Sequence, residues 1–294
     1  MPLATYAAAT LLRVLPRTQI TRAVGRLCDA RLHPAVASAV VNLYVKAYAV
    51  DLEECVIDGG FPSFDAFFTR PLREGARPLA ADEATIVSPA DGRLEDAGPV
   101  HAGGRLWIKG RAYSVAELVG DPDEAARYEG GQFAIVYLSP RDYHRVHAPV
   151  AGAITLVRSM PGDLYPVNAI GERHVASLFT INRRVAIVLD TATHGRVTVV
   201  MIGAMIVGRI TVTGIDARDV PLGLHHVEPP IAVARGDEIG IFHLGSTAVV
   251  FAEPRASLPF RVPRAPERIR MGQPLTERAG VGRAAAGAGQ KDAG

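Results

Sequence analysis

Short apolar runs bounded by Gly, Pro or Asp recur along the chain after about residue 86. They include GQFAIVYLS, GAITLVRS, RVAIVLDT, GRVTVVMIGAMIVGRITV, GDEIGIFHLG and TAVVFAE. β-Branched residues are frequent in these runs, and few helical stretches separate them, which is typical of antiparallel sheets. The pattern predicts a mostly antiparallel β core, arranged as a barrel or a sandwich, with few short helices.

The first 50 residues have a helical pattern instead. Apolar residues alternate with arginines at i, i+4 spacing between residues 6 and 49, and His33-Pro34 interrupts the pattern. Six basic residues stand against Asp29 alone, a composition that suits the surface of an anionic membrane. The alternative is a helical hairpin that packs on its own domain and leaves its arginines in solvent.

Composition limits the class of protein further. With 294 residues, 48% of them hydrophobic, the chain can build a substantial core. Two cysteines, Cys28 and Cys55, are too few for a disulfide framework, which favours a reducing compartment. A net charge of +2 gives no electrostatic case for binding nucleic acid. No stretch approaches the ~20 apolar residues that span a bilayer, so we expect a cytoplasmic chain without a transmembrane helix.

These observations predict an α+β protein in three parts. Residues 1–60 are expected to form amphipathic helices that associate with membranes, 61–265 a β-rich catalytic domain, and 275–294 a disordered tail rich in Ala and Gly. At the start of the second part, FPSFDAFFTRPLREGARP predicts a short helix with Ser63 as its N-cap and Pro71 beyond its end. Its phenylalanines fit either a core plug or a patch that faces the membrane.

Four polar segments within the β region contain residues suited to catalysis: SPADGRL, YLSPRDYHRVHAPVAG, PGDLYPVN and LGST. Asp91-Gly92 in the first is also a common turn dipeptide. His144 and His147 in the second are spaced as metal ligands, as surface residues, or as a catalytic residue with a helper. Neither cysteine nor a carboxylate cluster accompanies them, so we predict no metal. Ser246, His147 and Asp91 are the residue types of a nucleophile, its base and the group that orients the base.

Six motifs give the chain a specific resemblance. HLGST, YLSPRDYHRVHAP, SPADGRL, FFTRPLREGARP, IKGRAYSVAELVG and PGDLYPVN together resemble the phosphatidylserine decarboxylase family, in its bacterial and mitochondrial LGST form. The motifs follow the family's chain order, and the resemblance covers about residues 5 to 262. A lone LGST would recur by chance, whereas six motifs in register would not.

The resemblance implies that the chain cuts itself between Gly245 and Ser246. The products would be a β chain of residues 1–245 and an α chain of residues 246–294. Ser246 would act as the nucleophile and become a covalent pyruvoyl group, the cofactor, which forms a Schiff base with the substrate. The family's processing machinery maps onto His147 as general base and Asp91 as its partner. His144 is a candidate substrate contact or proton donor, with a structural hydrogen bond as the alternative.

The family's reaction converts phosphatidylserine to phosphatidylethanolamine and CO₂. The resemblance thus implies a peripheral enzyme on the cytoplasmic side of the cell membrane, made of an α and a β chain, with a dimer of these units as the family expectation and no nucleic acid as partner. One alternative is a pyruvoyl decarboxylase that acts on a soluble amino acid. Another is a non-enzymatic β-rich membrane adaptor in which Gly245-Ser246 is a plain turn. His243, beside that step, is expected to face outward from its strand.

Overall fold

A computed structural model describes most of the chain between residues 17 and 277. The described ranges are 17–108, 110–165, 167, 177–204, 209–243, 247–256 and 258–277. The predicted cleavage site at Gly245 and Ser246 lies outside these ranges, as do residues 1–16 of the predicted helical region and 278–294 of the predicted tail. The flanking residues His243 and Thr247 are described, and they fix where the connection between them begins and ends.

Six short helices lie within the described ranges. They are α1 (Arg17–Asp29), α2 (Pro34–Tyr48), α3 (Phe64–Phe68), α4 (Val115–Val119), α5 (Pro122–Ala126) and α6 (Leu178–Ile181). The break between α1 and α2 falls at the predicted His33-Pro34 step, because proline is favoured in the first turn of a helix and disfavoured inside one. Ser63 caps α3 as predicted, since its side chain accepts a hydrogen bond of 3.1 Å from the Ala66 amide.

Thirteen strands complete the described secondary structure. They are β1 (Gly92–Pro99), β2 (Arg105–Ile108), β3 (Arg111–Ser114), β4 (Gln132–Tyr137), β5 (Arg145–His147), β6 (Gly152–Met160), β7 (Arg184–Asp190), β8 (Arg196–Ile202), β9 (Arg209–Val212), β10 (Gly223–Val233), β11 (Glu238–His243), β12 (Thr247–Ala252) and β13 (Glu267–Ile269). Eight of them form one open sheet in the order β10-β6-β7-β8-β12-β4-β1-β13, and every neighbouring pair is antiparallel. The predicted α+β class with an antiparallel core is therefore confirmed.

Both faces of the large sheet are covered. On one face lies a second sheet, β5-β11-β9, whose residues Val146, Ile210 and Phe242 share an apolar core with β4, β7, β8 and β12. On the other face lie α4, α5 and the β2-β3 hairpin. Burial on both faces explains why β7, β8 and β12 are nearly continuous apolar runs without alternation. Of the two predicted arrangements, the described strands adopt the sandwich.

The sheet extends past the predicted end of the catalytic domain at 265. Strand β13 pairs with β1 through Ile269 and Gly92. Leu275 and Thr276, which the sequence placed in a disordered tail, are buried, and the Leu275 amide donates to the Ile86 carbonyl at 2.9 Å. The folded domain therefore continues to at least residue 277.

The N-terminal helices pack through one face only. Phe67 and Phe68 of α3 are buried against Val41 of α2, and the ring of Tyr44 meets that of Phe67 edge to face at 5.7 Å. The phenylalanines of α3 are thus mainly a core plug. The longest described helix, α2, has 15 residues, and no helix in the described ranges combines the length and apolarity that crossing a bilayer requires.

Candidate active site

The predicted cleavage site connects the two layers of the sandwich. Strand β11 ends at His243 in the three-stranded sheet, and β12 begins at Thr247 in the middle of the eight-stranded sheet. Three residues therefore join a strand of one layer to a strand of the other. The chain on either side of this junction is held by pairing, since Phe242 lies opposite Ile210 and Thr247 lies opposite both Tyr137 and Ile202.

Thr247 is fully buried at this junction. Its hydroxyl oxygen has no hydrogen-bond partner, although buried hydroxyls in proteins are nearly always satisfied. The register also places Thr247 in one row with Tyr137 of β4 and Arg93 of β1. With strands ~4.8 Å apart, Arg93 and Thr247 are about 10 Å apart across the sheet, so Asp91, just before β1, lies at the same end of the sheet as the junction.

Asp91 is buried and fully engaged by other groups. The Arg77 guanidinium holds both carboxylate oxygens, with Nε at 2.9 Å from Oδ1 and Nη2 at 2.6 Å from Oδ2. The Met271 amide donates to Oδ1 at 2.8 Å, and Arg77 also donates to Glu54 at 2.7 Å. A bidentate arginine is among the strongest partners that a carboxylate finds in a protein, so Asp91 is held as a charged group in a fixed position.

His147 does not contact Asp91. Its Nδ1 lies 2.7 Å from the Gly236 carbonyl oxygen and its Nε2 lies 3.0 Å from the Tyr143 hydroxyl. A carbonyl only accepts, so Nδ1 carries the proton, and Nε2 is the lone-pair nitrogen that accepts from Tyr143. The predicted orientation of His147 by Asp91 is therefore not what this structure shows, because Arg77 takes the carboxylate and Gly236 orients the ring. Burial lowers the pKa of His147 and keeps the ring neutral.

His144 has a different environment. The side chain is completely buried, and neither ring nitrogen makes a hydrogen bond of normal geometry, the Asp142 backbone being only a weak partner. Its ring packs on Phe68 with 4.0 Å between centroids, and its carbonyl accepts a bond of 3.0 Å from the Phe242 amide, next to the junction. Burial, helped by the nearby Arg70, lowers the pKa of His144 to about 3. The site thus contains a neutral imidazole whose hydrogen-bonding capacity is largely unused.

We expected His243 to face outward from its strand into solvent, but its side chain is mostly covered. Its side chain is only 14% exposed, because α1 and α3 cover this end of β11. Nδ1 lies 2.9 Å from Oδ1 of Asp65 and 2.7 Å from Nη2 of Arg209. Alternation along β11 predicts correctly that the side chain points away from the large sheet, but it cannot show that helices from the other end of the chain lie there.

Two cavities border these residues. A polar cavity of about 350 Å³ is lined by Asp91 and Tyr143 together with several arginines and acidic residues, so charges of both signs are present. A second cavity, of about 610 Å³, lies between α1 and the segments 161–164 and 218–222. Five arginines and one aspartate line the second cavity: Arg22, Arg26, Arg183, Arg209, Arg218 and Asp219. Three of the arginines are already paired with carboxylates, Arg183 with Asp219, Arg209 with Asp29 and Asp65, and Arg218 with Asp29, so the excess positive charge comes from Arg22 and Arg26. An anionic group is the ligand class that such a lining suits.

Sequence reasoning missed the groups that hold the predicted residues in place. Arg77 lies in the quoted REGARP segment but was given no role, although a basic residue 14 positions before the predicted catalytic aspartate was a usable signal. Tyr143, four residues before the predicted base His147, is likewise a phenol that was given no role. The Gly236 carbonyl gave no sequence signal, because any residue supplies a backbone oxygen. Across the described ranges, no group of three or more His, Cys, Asp or Glu residues is arranged to hold a metal ion.

Comparison with known proteins identifies close relatives of the chain. The family model described as phosphatidylserine decarboxylase matches residues 64–277. The phosphatidylserine decarboxylase proenzyme of Anaeromyxobacter sp. (strain K) is 41% identical over 272 residues, which cover 90% of this chain and 95% of the relative. The proenzyme of the same name from Bordetella avium (strain 197N) is 39% identical over 268 residues, 88% of this chain and 90% of the relative. A third, from Acinetobacter baylyi, is 40% identical over 244 residues.

Proposed function

Because the chain belongs to the phosphatidylserine decarboxylase family, we propose that it is a self-processing enzyme that decarboxylates phosphatidylserine. It is made as one chain, cuts itself between Gly245 and Ser246, and converts Ser246 into a pyruvoyl group. The observation that supports this most directly is the junction between β11 and β12. A three-residue connection there joins two separately paired strands, next to the buried neutral His144 and at the same end of the large sheet as the fixed Asp91 carboxylate. His147 of β5 lies farther away, opposite Glu238 at the start of β11.

In the proposed processing step, the Ser246 hydroxyl oxygen attacks the Gly245 carbonyl carbon. The C–N bond breaks as an ester bond forms, and the serine proton goes to a base. His147 supplies that base through Nε2, since Nδ1 is occupied by the Gly236 carbonyl. In this structure the Tyr143 hydroxyl is hydrogen-bonded to Nε2 of His147. The serine proton therefore reaches His147 by relay through the Tyr143 hydroxyl, or directly after this hydroxyl has moved away. Asp91 contributes a fixed negative charge at the same end of the sheet.

In the elimination that follows, a base removes the Cα proton of position 246, the Cβ–Oγ bond breaks and the Gly245 carboxylate leaves. The product is a dehydroalanine, which tautomerises to an imine. Loss of ammonia on hydrolysis leaves the pyruvoyl group at position 246, where its carbonyl takes up the substrate amine and the electrons left by departing CO₂. The residues present suit such a group. The Thr247 hydroxyl is buried without a partner next to position 246, and the nearby His144 ring makes no hydrogen bond of normal geometry. We assign His144 to the substrate, as a contact or proton donor.

The sheet order supports a stable pair of chains after cleavage. The small chain would keep β12, which lies between β8 and β4 of the large chain, and β13, which pairs with β1. All six residues of β12 are buried, so the proposed cut leaves the two chains joined by a shared sheet and core. A dimer of such pairs stays a prediction from the family resemblance.

The N-terminal helices support a lipid substrate rather than a soluble amino acid. On the face of α2 that does not pack, Val36, Val40 and Leu43 are 50%, 39% and 72% exposed, and Leu27 of α1 is 68% exposed. Four basic residues around them are also exposed: Arg22, Arg26, Arg31 and Lys46. We call these eight residues the apolar-basic face. Apolar side chains with a basic rim suit the surface of an anionic membrane, where the enzyme would bind as a peripheral protein.

The arginine-lined cavity lies next to this face. It includes Arg22 and Arg26 of α1 and extends to Arg209, which contacts His243 at the end of β11. A phosphodiester that entered from the membrane would meet the positive charge of Arg22 and Arg26 first, because Arg209 is already paired with Asp29 and Asp65. A soluble amino acid decarboxylase would have no use for either the cavity's basic lining or the apolar-basic face.

Intact mass measurement of the purified protein tests the proposal. We expect two chains, with the smaller one starting at position 246 and blocked by pyruvoyl, and a single uncut chain for Ser246→Ala. The cut protein should release CO₂ from phosphatidylserine vesicles and not from free serine. A single unmodified chain in the active protein would refute the self-processing enzyme and favour the adaptor. Release of CO₂ from free serine alone would favour the soluble-substrate enzyme.

A further inference from the structure

A charged cluster links the N-terminal helices to the strand that leads into the junction. It contains Asp29 of α1, Asp65 of α3, Arg209 of β9 and His243 of β11. Arg209 Nη2 lies 2.7 Å from Asp29 Oδ1 and 2.8 Å from Asp65 Oδ1. We call these four residues the junction cluster. Its members come from distant parts of the chain, with Asp29 and Arg209 180 positions apart and Asp65 and His243 178 positions apart. Their side chains are only 14 to 25% exposed.

Both ring nitrogens of His243 have hydrogen-bond partners. Nδ1 faces both Asp65 and Arg209, and Nε2 lies 3.2 Å from the Thr211 hydroxyl. A ring nitrogen offers either one hydrogen or one lone pair, so Nδ1 donates to Asp65 or accepts from Arg209, but not both at once. In either state Nε2 has a complementary partner in Thr211, whose hydroxyl donates and accepts. The His243 side chain is therefore fixed whichever nitrogen carries the proton.

Asp65 is the acceptor that Arg209 and His243 share. Burial acts to raise its pKa, but the bonds from His243 and Arg209 outweigh burial and lower it. The Asp65 carboxylate is thus charged, and it attracts Arg209 and His243 toward α3. The buried Phe67 and Phe68 hold α3 in place. The position of the Asp65 carboxylate is therefore fixed by the packing of α3.

The geometry points to a positioning role for this cluster, and we propose that Asp65 and Arg209 hold His243, and with it the upstream side of the scissile peptide, in the position required for self-cleavage. The proposal rests on the cut between Gly245 and Ser246. On the downstream side, Thr247 is already fixed by pairing with two strands. On the upstream side, β11 is the central strand of a small sheet, and its last residue is two positions from the scissile bond. Small displacements of reacting groups can cost on the order of 100-fold in rate.

The cluster also makes cleavage depend on the N-terminal region. Asp29 and Asp65 belong to the helical layer, whereas Arg209 and His243 belong to the sandwich. A chain in which α1 and α3 have not yet docked lacks half of the cluster. Processing is then expected to follow docking of the helices that carry the apolar-basic face, so that an enzyme unable to reach its substrate is not activated.

Pulse-chase measurement of self-cleavage after synthesis in vitro tests the positioning role. We expect Asp65→Asn and His243→Leu to slow cleavage about tenfold or more relative to the unmodified chain. His243→Asn should recover most of the rate, because its amide occupies nearly the place of Nδ1 and can bond to Asp65 or Arg209. The matched control is Asp121→Asn, which neutralises the partly buried ion pair with Arg158 and keeps an N-cap for α5.

Stability is measured separately, on uncut precursors that also carry Ser246→Ala. If Asp65→Asn lowers the melting temperature no more than Asp121→Asn does, slower cleavage reflects positioning rather than general unfolding. Cleavage of Asp65→Asn and His243→Leu at the normal rate would overturn the inference. Equal slowing by His243→Asn and His243→Leu, or by Asp121→Asn, would also overturn it. Failure of the unmodified chain to cut itself would instead refute the proposed function.

Discussion

His144 and His147 are only three residues apart, but their ring nitrogens differ in hydrogen bonding. His147 has a partner on each ring nitrogen, whereas neither ring nitrogen of His144 makes a hydrogen bond of normal geometry. Leaving buried polar atoms unsatisfied costs about 1 to 3 kcal/mol for each group, and nothing in the packing of His144 against Phe68 compensates for it. This contrast supports separate roles: His147 is oriented in the precursor and suits processing, while His144 has its hydrogen-bonding capacity largely free for the substrate.

Burial of His144 predicts a stability that depends on pH. Its pKa is about 3 in the folded protein because burial disfavours the charged ring, against ~6.5 in an unfolded chain. The unfolded state therefore binds more protons below pH 6.5, and stability falls as pH drops from 6.5 toward 3 and is constant above that window. At pH 5, His144 alone should cost about 2 kcal/mol relative to pH 7.5. His147 shifts in the same direction.

Urea denaturation of the uncut Ser246→Ala precursor at pH 5 and pH 7.5 measures this effect. Adding His144→Asn should reduce the difference between the two pH values by most of the 2 kcal/mol or so assigned to His144. The comparison uses the change with pH within each variant, so a general loss of stability in His144→Asn does not affect it. An unchanged pH dependence in that variant would contradict a neutral, buried His144.

At the scale of elements, the start of β1 decides where Asp91 lies. Gly92 lies so close to the Tyr137 carbonyl of β4 that a Cβ at this position would overlap it. The strand can approach β4 only because residue 92 has no side chain. This close approach brings the preceding Asp91 within reach of Arg77 and of the Met271 amide.

Gly92→Ala is therefore expected to destabilise the precursor by about 1 to 3 kcal/mol and to slow self-cleavage by shifting Asp91. Gly98→Ala in the same strand is the control, because a Cβ there would lie 3.7 Å from the Phe133 ring, an ordinary contact. Denaturant melts and cleavage time courses of the two variants give both readouts. Equal behaviour of the two alanine variants would show that the approach of β1 to β4 is not needed.

At the scale of the whole molecule, the apolar-basic face sets how the enzyme meets its substrate. Val40→Ser combined with Leu43→Ser should reduce flotation with vesicles of phosphatidylserine and phosphatidylcholine several-fold, since each removes apolar surface that would be buried in the lipid interface. Self-cleavage should be unchanged, because neither residue belongs to the junction. Val262→Ser, at a valine that is 61% exposed elsewhere on the surface, is the matched control. Undiminished flotation of the double variant would argue against this face as the membrane contact.

The sequence predicted local structure better than long-range partners. The cap at Ser63, the break at Pro34 and the apolar runs of β4, β7 and β12 follow from neighbouring residues, and the structure has them where they were expected. The Arg77–Asp91 and Asp65–His243 pairs join residues 14 and 178 positions apart, and no local pattern encodes such pairs. The sequence also did not predict the division of the strands into two sheets. Only residues 244–246 of the short polar segment LGST separate β11 from β12, and no local pattern there shows that the chain changes from one layer to the other.

The central position of β12 has a consequence for the lifetime of the enzyme. Before the proposed cut, folding is unimolecular, and β12 enters the sheet as part of the same chain as its neighbours. After the cut, any complete unfolding releases two molecules, and recovery requires that they meet again at cellular dilution with a strand missing from the middle of a sheet. The mature enzyme would then persist through a high barrier to unfolding rather than through an equilibrium that can be re-established. Each molecule would in effect fold once.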